Sequence, residues 1–131
     1  MFGRRKQPPI RTLIGEGTVI HGQLTFTDGL RIDGEVVGDV TAIGDAPSLL
    51  VISETARVSG KVSAGHLIVN GKIDGPIRST ELLELQPKAQ IAGDVRYDVL
   101  EMHQGASIDG ELRPMGALER PGLKLAASNP G

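Results

Sequence analysis

The sequence predicts an all-β fold, a single-stranded β-helix in which short strands wind around one narrow apolar interior. Three observations lead to this prediction. A five-residue motif recurs along the chain, its glycines follow one another at a nearly regular distance, and the 131 residues include 18 glycines but only two Phe, one Tyr and no Trp. Globular cores usually contain more aromatic side chains, whereas stacked Val, Ile and Leu are enough to fill a solenoid.

The recurring motif has an apolar residue at each end, a glycine in the middle and mostly polar residues between them. Side chains of an extended chain alternate between two faces, so both apolar residues and the glycine share one face. Glycine also permits a sharp bend. We therefore expect a corner at each motif, with its apolar residues pointing inward. The eight copies are Ile20–Leu24, Ile32–Val36, Val36–Val40, Val58–Val62, Val69–Ile73, Ile73–Ile77, Ile91–Val95 and Ile108–Leu112.

The spacing of the motif predicts the size of each coil. The steps between successive glycines are 16, 22, 15, 18 and 17 residues, counted over Gly22, Gly38, Gly60, Gly75, Gly93 and Gly110. Regular self-similarity of short strands indicates a solenoid. A step of about 17 residues is shorter than helix-containing repeats and accommodates three strands of about five residues. Residues 14–112 therefore have room for about six coils, and the longest step contains a predicted turn at 44–48.

The chain divides into three parts. We expect a disordered basic segment at 1–11, a β-helix domain at 12–114 and a disordered tail at 115–131, where prolines and small residues follow the last repeat. The sequence has no apolar run of about 18 residues that would span a membrane. The basic residues Arg4, Arg5 and Lys6 are followed by prolines rather than by an apolar stretch, which predicts no signal peptide.

The net charge of −2 is unevenly distributed. Residues 1–11 carry four basic and no acidic residues, residues 12–112 carry 7 basic and 15 acidic residues, and residues 113–131 carry three basic residues and one acidic residue. An acidic body disfavours nucleic-acid binding. The absence of cysteine excludes disulfides and thiolate chemistry.

The sequence offers little for catalysis. The histidines His21, His66 and His103 are separated by 45 and 37 residues, which is not the spacing of a metal site, and we interpret them as solvated. No phosphate-binding glycine loop is present, so we predict no catalytic, cofactor-binding, nucleotide-binding or metal-binding residues. We interpret the carboxylates on the polar face as a charged surface that keeps the solenoid soluble, rather than as the catalytic pair of a glycosidase. They are Asp33, Glu35, Asp39, Asp74, Asp94, Asp109 and Glu111.

One enzymatic alternative is a left-handed β-helix acyltransferase built from hexapeptides. The segments 14–19, 20–25, 52–57 and 58–63 also fit a six-residue repeat, and His21 or His66 would then be the catalytic base. The six-residue frame is not kept along the chain, so this fold ranks second.

The two ends of a β-helix are candidate interaction surfaces. Each end leaves unpaired backbone groups and an apolar rim. End-to-end association would cover them, and so would tails that fold over the ends. The residues expected at the rims are Ile14, Val19, Leu24 and Phe26 at one end, and Met102, Ile108 and Leu112 at the other.

The first six residues combine Phe2 with three basic side chains. Each basic residue contributes about 1 kcal/mol near an anionic bilayer, and a polymer would multiply this weak contact. An ordinary disordered N-terminus is the alternative.

With these features, residues 1–114 resemble the bactofilins, a family of bacterial cytoskeletal proteins. The resemblance rests on the short Met-Phe start with basic residues, the proline-containing linker, and the units I-D-G-E-V, V-S-G-K-V and I-A-G-D-V. It implies a right-handed triangular β-helix between disordered tails, without enzymatic activity or cofactor. It also implies nucleotide-independent, apolar filaments formed by end-to-end contacts, located at the inner face of the cytoplasmic membrane, which recruit cell-wall synthesis or hydrolysis enzymes or their membrane anchors.

The resemblance also assigns roles to two regions. It implies membrane targeting by the N-terminal residues Met1, Phe2, Arg4, Arg5 and Lys6. Relatives often carry an aromatic residue in the last coil that supports polymerisation. This chain has Ser107-Ile108 there, so Ile108 is expected to take that role.

Overall fold

A computed structural model describes residues 8–115, and its regular structure is a series of fifteen short strands. The strands are β1 (Ile10–Ile14), β2 (Val19–His21), β3 (Leu24–Phe26), β4 (Gly29–Ile32), β5 (Glu35–Val37), β6 (Val40–Ala42), β7 (Leu49–Ile52), β8 (Arg57–Ser59), β9 (Val62–Val69), β10 (Lys72–Asp74), β11 (Ile77–Leu85), β12 (Gln90–Ala92), β13 (Val95–Met102), β14 (Ser107–Asp109) and β15 (Leu112–Pro114).

These strands form a parallel β-helix of six coils with three faces. The first face contains β1, β4, β7 and the second halves of β9, β11 and β13. The second face contains β2, β5, β8, β10, β12 and β14. The third face contains β3, β6, the first halves of β9, β11 and β13, and β15. The predicted all-β solenoid of about six coils is therefore confirmed.

The interior is a stack of aliphatic side chains in register between coils. On the first face, Leu30, Leu50, Leu67 and Leu83 follow one another in successive coils, and each is at most 1% exposed. Burying such a side chain contributes about 1.5–3 kcal/mol. Since the column continues through four coils without an aromatic side chain, the low aromatic content is explained by the narrow interior.

Six of the eight motif glycines stack at the corner between the second and third faces. Gly38 lies so close to Gly22 of the preceding coil that a β-carbon on Gly38 would overlap the Gly22 carbonyl oxygen. The same relationship continues through Gly60, Gly75, Gly93 and Gly110. The corner predicted at these motifs is confirmed, and its physical basis is the close approach of successive backbones.

The other two copies of the motif occupy a different corner. Gly34 and Gly71 lie between the first and second faces, where a β-carbon would meet backbone oxygens of the preceding coil, Thr18 and Gly15 for Gly34, Ser53 and Ala56 for Gly71. The motif is the same at both corners because both need a residue without a side chain where two backbones come close. The apolar residues on either side of that glycine point inward.

Several polar side chains tie successive coils together. Asp39 accepts a hydrogen bond from the backbone N–H of Lys61 at 2.9 Å, and Asp94 accepts one from the N–H of Glu111 at 3.0 Å. Asn70 accepts from the N–H of Lys88 at 2.9 Å. Two carboxylates that the sequence assigns to a solvated face thus also satisfy backbone donors at the corners.

The turn predicted at 44–48 is confirmed as an exposed excursion between β6 and β7. Its last residue, Ser48, is buried, and its Oγ accepts a hydrogen bond from the N–H of Gly65 at 2.8 Å. Gly65 in turn accepts a hydrogen bond from Ser79 Oγ at 2.9 Å. The extra residues of this long step therefore leave the register of the coils unchanged. Across residues 8–115 there is no helix long and apolar enough to cross a membrane.

Candidate self-assembly interfaces at the ends of the solenoid

Both ends of the solenoid present backbone edges that pair on one side only. In the first coil, β1, β2 and β3 pair with β4, β5 and β6 of the second coil, and with no other strand of the described residues. In the sixth coil, the second half of β13, together with β14 and β15, pairs only with the fifth coil within the same part of the chain. Each edge is a row of hydrogen-bonding groups that can template a further strand.

The first coil brings four of the predicted rim residues to one end. Ile14 is 7% exposed and belongs to the core, and Leu24 and Phe26 are half-buried against it. Val19 is 51% exposed and in register with Glu35 on the outer side of the second face. It therefore lies beside the end of the solenoid rather than inside its apolar opening.

The sixth coil brings the other predicted residues to the opposite end. Met102 and Leu112 are 46% and 44% exposed, although the residues in the same columns one coil earlier, Leu85 and Val95, are fully buried. Ile108 is half-buried over Ile91. The difference in exposure between the fifth and sixth coils shows that a further coil on this end would bury Met102 and Leu112.

Two further inward residues lie at the ends but were not among the predicted rim residues. Ile20 continues the inward column of Val36 in the first coil, and Leu100 continues the column of Leu83 in the sixth, and both are partly buried against the core. The alternation of inward and outward residues could have identified Ile20 directly, because it begins the first motif.

An ionic contact stabilises the outer surface near the first end. Arg31 Nε donates a hydrogen bond to Asp33 Oδ1 at 2.8 Å. This bond is the main cause that lowers the pKa of Asp33 below its ordinary value, with a second contribution from a hydrogen bond to Ser53. Thr55 Oγ1 also donates to the backbone oxygen of Asp33 at 2.8 Å, which links the second coil to the third.

The structure separates the histidines considered for catalysis. His21 lies in β2 on the second face, whereas His66 lies in the fourth coil on the first face. His21 and His103 are exposed and His66 is half-buried. No two of them meet in a common site within residues 8–115.

One group of side chains has the chemistry of metal ligands. Glu84, Glu101 and His103 each offer a ligand atom within 4.8 Å of the others, and Glu84 Oε2 lies 3.5 Å from His103 Nε2. Glu101 and His103 are exposed to solvent. The two glutamates meet because parallel register places them in adjacent coils.

The residues predicted to target the membrane, Met1, Phe2, Arg4, Arg5 and Lys6, lie outside the described residues. Their role stays a prediction, as does the role of the rim residues in assembly.

Comparison with known proteins identifies relatives over most of the chain. Residues 12–113 match the model of the family Bactofilin, described as polymer-forming cytoskeletal. The chain is 32% identical over 119 residues to bactofilin BacP of Myxococcus xanthus (strain DK1622), covering 91% of this chain and 47% of that protein. It is 24% identical over 111 residues to bactofilin BacO of the same organism, covering 85% of each chain. The chain thus spans about half the length of one relative and most of the other. No solved structure matches.

Proposed function

Because the chain belongs to the bactofilin family of polymer-forming cytoskeletal proteins, we propose that it is a scaffold that assembles end to end into apolar filaments without nucleotide. The filaments would lie at the inner face of the cytoplasmic membrane and localise proteins that modify the cell wall or determine cell shape. The observation that carries this proposal is that, within residues 8–115, the strands at each end of the solenoid pair on one side only, around an apolar interior.

The geometry of the ends supports association along the solenoid axis. The terminal strands of residues 8–115 pair on one side only, so their free backbone groups can pair with strands of a second subunit. Like ends meet in an apolar filament, and the facing strands of the two subunits would therefore pair in the antiparallel direction. At the sixth coil, Met102 and Leu112 would move from an exposed to a buried environment. Full burial of side chains of this size contributes about 1.5–3 kcal/mol each, before the entropic cost of association is subtracted.

Membrane association is assigned to the segment that precedes the solenoid. Arg4, Arg5 and Lys6 accompany Phe2, and the remainder of residues 1–11 contains no acidic side chain. Three basic residues give about 3 kcal/mol near an anionic bilayer, which is weak binding for one chain. A filament carries many copies of the segment, and the combined contacts would bind far more tightly.

The proposal is tested with the purified chain and a variant that lacks residues 2–6. Both should form filaments in negative-stain electron microscopy without added nucleotide, and only the intact chain should sediment with vesicles that contain phosphatidylglycerol. Vesicles of neutral lipid serve as the control. A small oligomer of fixed size under all salt conditions would overturn the polymer, and equal sedimentation of both chains would overturn the role of residues 2–6.

Recruitment of cell-wall enzymes requires a separate test, because these binding partners are inferred from membership of the family. A tagged filament should enrich cell-wall synthesis or hydrolysis enzymes from solubilised membranes. The same preparation with a variant that cannot polymerise should show whether recruitment requires the filament.

A further inference from the structure

The outer side of the first face carries a column of residues whose order is unusual for a solvated surface. Parallel register stacks Leu13, Arg31, Val51, Ile68, Glu84 and Glu101 in successive coils, from the first to the sixth. The middle of the column is apolar, one half carries a positive charge, and the other half carries two negative charges. Charge therefore changes sign along the axis of the solenoid.

A neighbouring column extends the apolar middle. It contains His66, Leu82 and Val99 in the fourth to sixth coils, whereas Leu49, in the same register in the third coil, is buried. Leu82 is half-buried and Val99 is 51% exposed. The two columns together form a strip, here called the first-face strip, whose centre consists of the half-buried residues Val51, Ile68, His66 and Leu82.

Stacked glutamates leave one half of the strip electrostatically unbalanced. Glu84 and Glu101 are direct neighbours in register, and like charges directly opposite each other destabilise a sheet. His103 contacts Glu84 at 3.5 Å. Arg31 lies three coils away from Glu84 in the same column, so it cannot neutralise these carboxylates within one subunit.

We infer that the first-face strip is a lateral interface that pairs two copies of this chain in antiparallel orientation. A two-fold axis along the strands, between the third and fourth coils, would place the second coil of one copy opposite the fifth coil of the other. Arg31 then faces the partner copy's Glu84 twice, and Val51 faces Ile68 across the centre. This arrangement is isologous, so it closes on itself and adds no further copies through the same surface.

Charge complementarity selects the antiparallel orientation. In a parallel pair, Glu84 and Glu101 of one copy would face the same residues of the other, and like-charge juxtaposition at an interface is strongly unfavourable. The antiparallel pair replaces this repulsion by two Arg31–Glu84 contacts. Arg31 can keep its hydrogen bond to Asp33, because a guanidinium offers five N–H donors.

The size of the strip indicates that pairing depends on the filament. Six coils spaced by about 4.8 Å give a strip roughly 29 Å long and about 10 Å wide, or roughly 300 Å² per copy. Stable interfaces bury about 800 Å² per partner. One pair of subunits is therefore weakly bound, whereas filaments would pair through many such strips at once. This pairing rests on the proposed end-to-end assembly for its strength, but its geometry can be tested independently.

The orientation can be read with two single-cysteine chains, because the natural sequence contains no cysteine. Arg31→Cys and Glu84→Cys chains are mixed, with a size tag on one of them, and treated with a short bismaleimide. An antiparallel pair brings these two positions together and retains the second Arg31–Glu84 contact. We expect the mixed 31–84 product to exceed each like–like product at least fivefold. A majority of 31–31 and 84–84 products would overturn the antiparallel interface.

The charge pairing is tested by reversal and restoration. Glu84→Arg should reduce bundles, measured as protein that sediments at low speed, at least fivefold, while single filaments still sediment at high speed. Adding Arg31→Glu to that variant should restore bundling. Glu35→Arg, the same change at a half-buried outward residue of the second face, is the matched control and should bundle like the natural chain.

The remaining outcomes separate direct pairing of two strips from bridging by cations and from occupation by another protein. Bundles that dissolve in EDTA would indicate cations bridging the glutamates and would overturn direct pairing. Bundling that is unaffected by Glu84→Arg would also overturn direct pairing of two strips. The strip would then be free to bind another protein instead. Single filaments without the 31–84 product would contradict lateral pairing and leave end-to-end assembly intact. The 31–84 product without filaments would contradict the proposed function and support the pairing.

Discussion

Gly60 lies directly over Gly38 of the preceding coil, and the two backbones are so close that a β-carbon on Gly60 would overlap the Gly38 carbonyl oxygen. The N–H of Gly38 donates to the carbonyl of Ser59 at 2.9 Å, so the hydrogen-bond ladder between coils holds the two backbones together at the corner where a side chain is excluded. The recurring motif is therefore a requirement of backbone packing at the corner.

Replacing Gly60 by alanine should destabilise the solenoid strongly. The added β-carbon meets backbone atoms that cannot move without breaking the corner, and Gly60 has a φ of +157°. We expect a loss of about 2 kcal/mol or more, measured by urea unfolding. Gly15→Ala is the control, since nothing lies within 4 Å of a β-carbon there. Equal losses for the two variants would contradict the role of the close approach.

Charges at the sixth coil should prevent filament growth without unfolding the subunit. Met102→Glu and Leu112→Glu each place a carboxylate at an exposed apolar position, where monomer stability should change by about 0.5 kcal/mol at most. Burying that carboxylate between subunits would cost several kcal/mol. Light scattering should show at least a tenfold higher critical concentration for assembly.

The control for these variants is Val37→Glu, which introduces the same side chain at a residue that is 37% exposed on the outer second face. It should assemble at the same concentration as the natural chain. If Val37→Glu blocked assembly and Met102→Glu did not, the filament contact would lie on the side of the solenoid rather than at its end.

The carboxylate of Asp39 should contribute measurably to the joining of the second and third coils. Asp39→Ala removes the acceptor for the N–H of Lys61 and should cost about 0.5–1.5 kcal/mol. Asp39→Asn keeps an acceptor oxygen and should recover most of that loss. Asp74→Ala, an exposed position on the second face, should leave the urea midpoint nearly unchanged. A full loss in the Asn variant would show that charge, rather than the hydrogen bond, is what matters.

The contact between Arg31 and Asp33 predicts a specific response to pH. Because the hydrogen bond from Arg31 lowers the pKa of Asp33, the contact stabilises the fold fully above the ordinary carboxyl pKa of about 3.9. That contribution is lost as the pH falls through the lower pKa of the folded state. Arg31→Ala should raise the pKa of Asp33 toward its ordinary value, as measured by NMR titration of the side-chain carboxyl. An unchanged pKa would assign the shift to Ser53.

The number of coils and the stacked corner can be predicted from the sequence, because close backbone packing at this corner requires glycine. Six motif glycines mark one corner of every coil, and their spacing predicts the number of coils. The assignment of Gly34 and Gly71 to another corner could not be predicted. The motif indicates that another backbone comes close to the glycine, but not which residue supplies that backbone. The identity of that residue is set by the register between neighbouring coils.

The outward columns were even less accessible from the sequence. Steps between glycines vary from 15 to 22 residues, so no fixed period aligns Arg31 with Glu84. The steps along their column are 18, 20, 17, 16 and 17 residues, and only the pairing between coils places these residues in line. For the same reason Val19 is assigned to the rim by its place in the chain, whereas its register with Glu35 points it outward.

The fixed number of coils sets the length of each subunit along the filament axis. With six coils at about 4.8 Å each, one subunit advances a continuous filament by roughly 29 Å. If neighbouring subunits met with the same ends, the true repeat would double to roughly 58 Å. Layer lines in a diffraction pattern of aligned filaments would therefore report filament polarity directly, from the ratio between the axial repeat and the coil spacing.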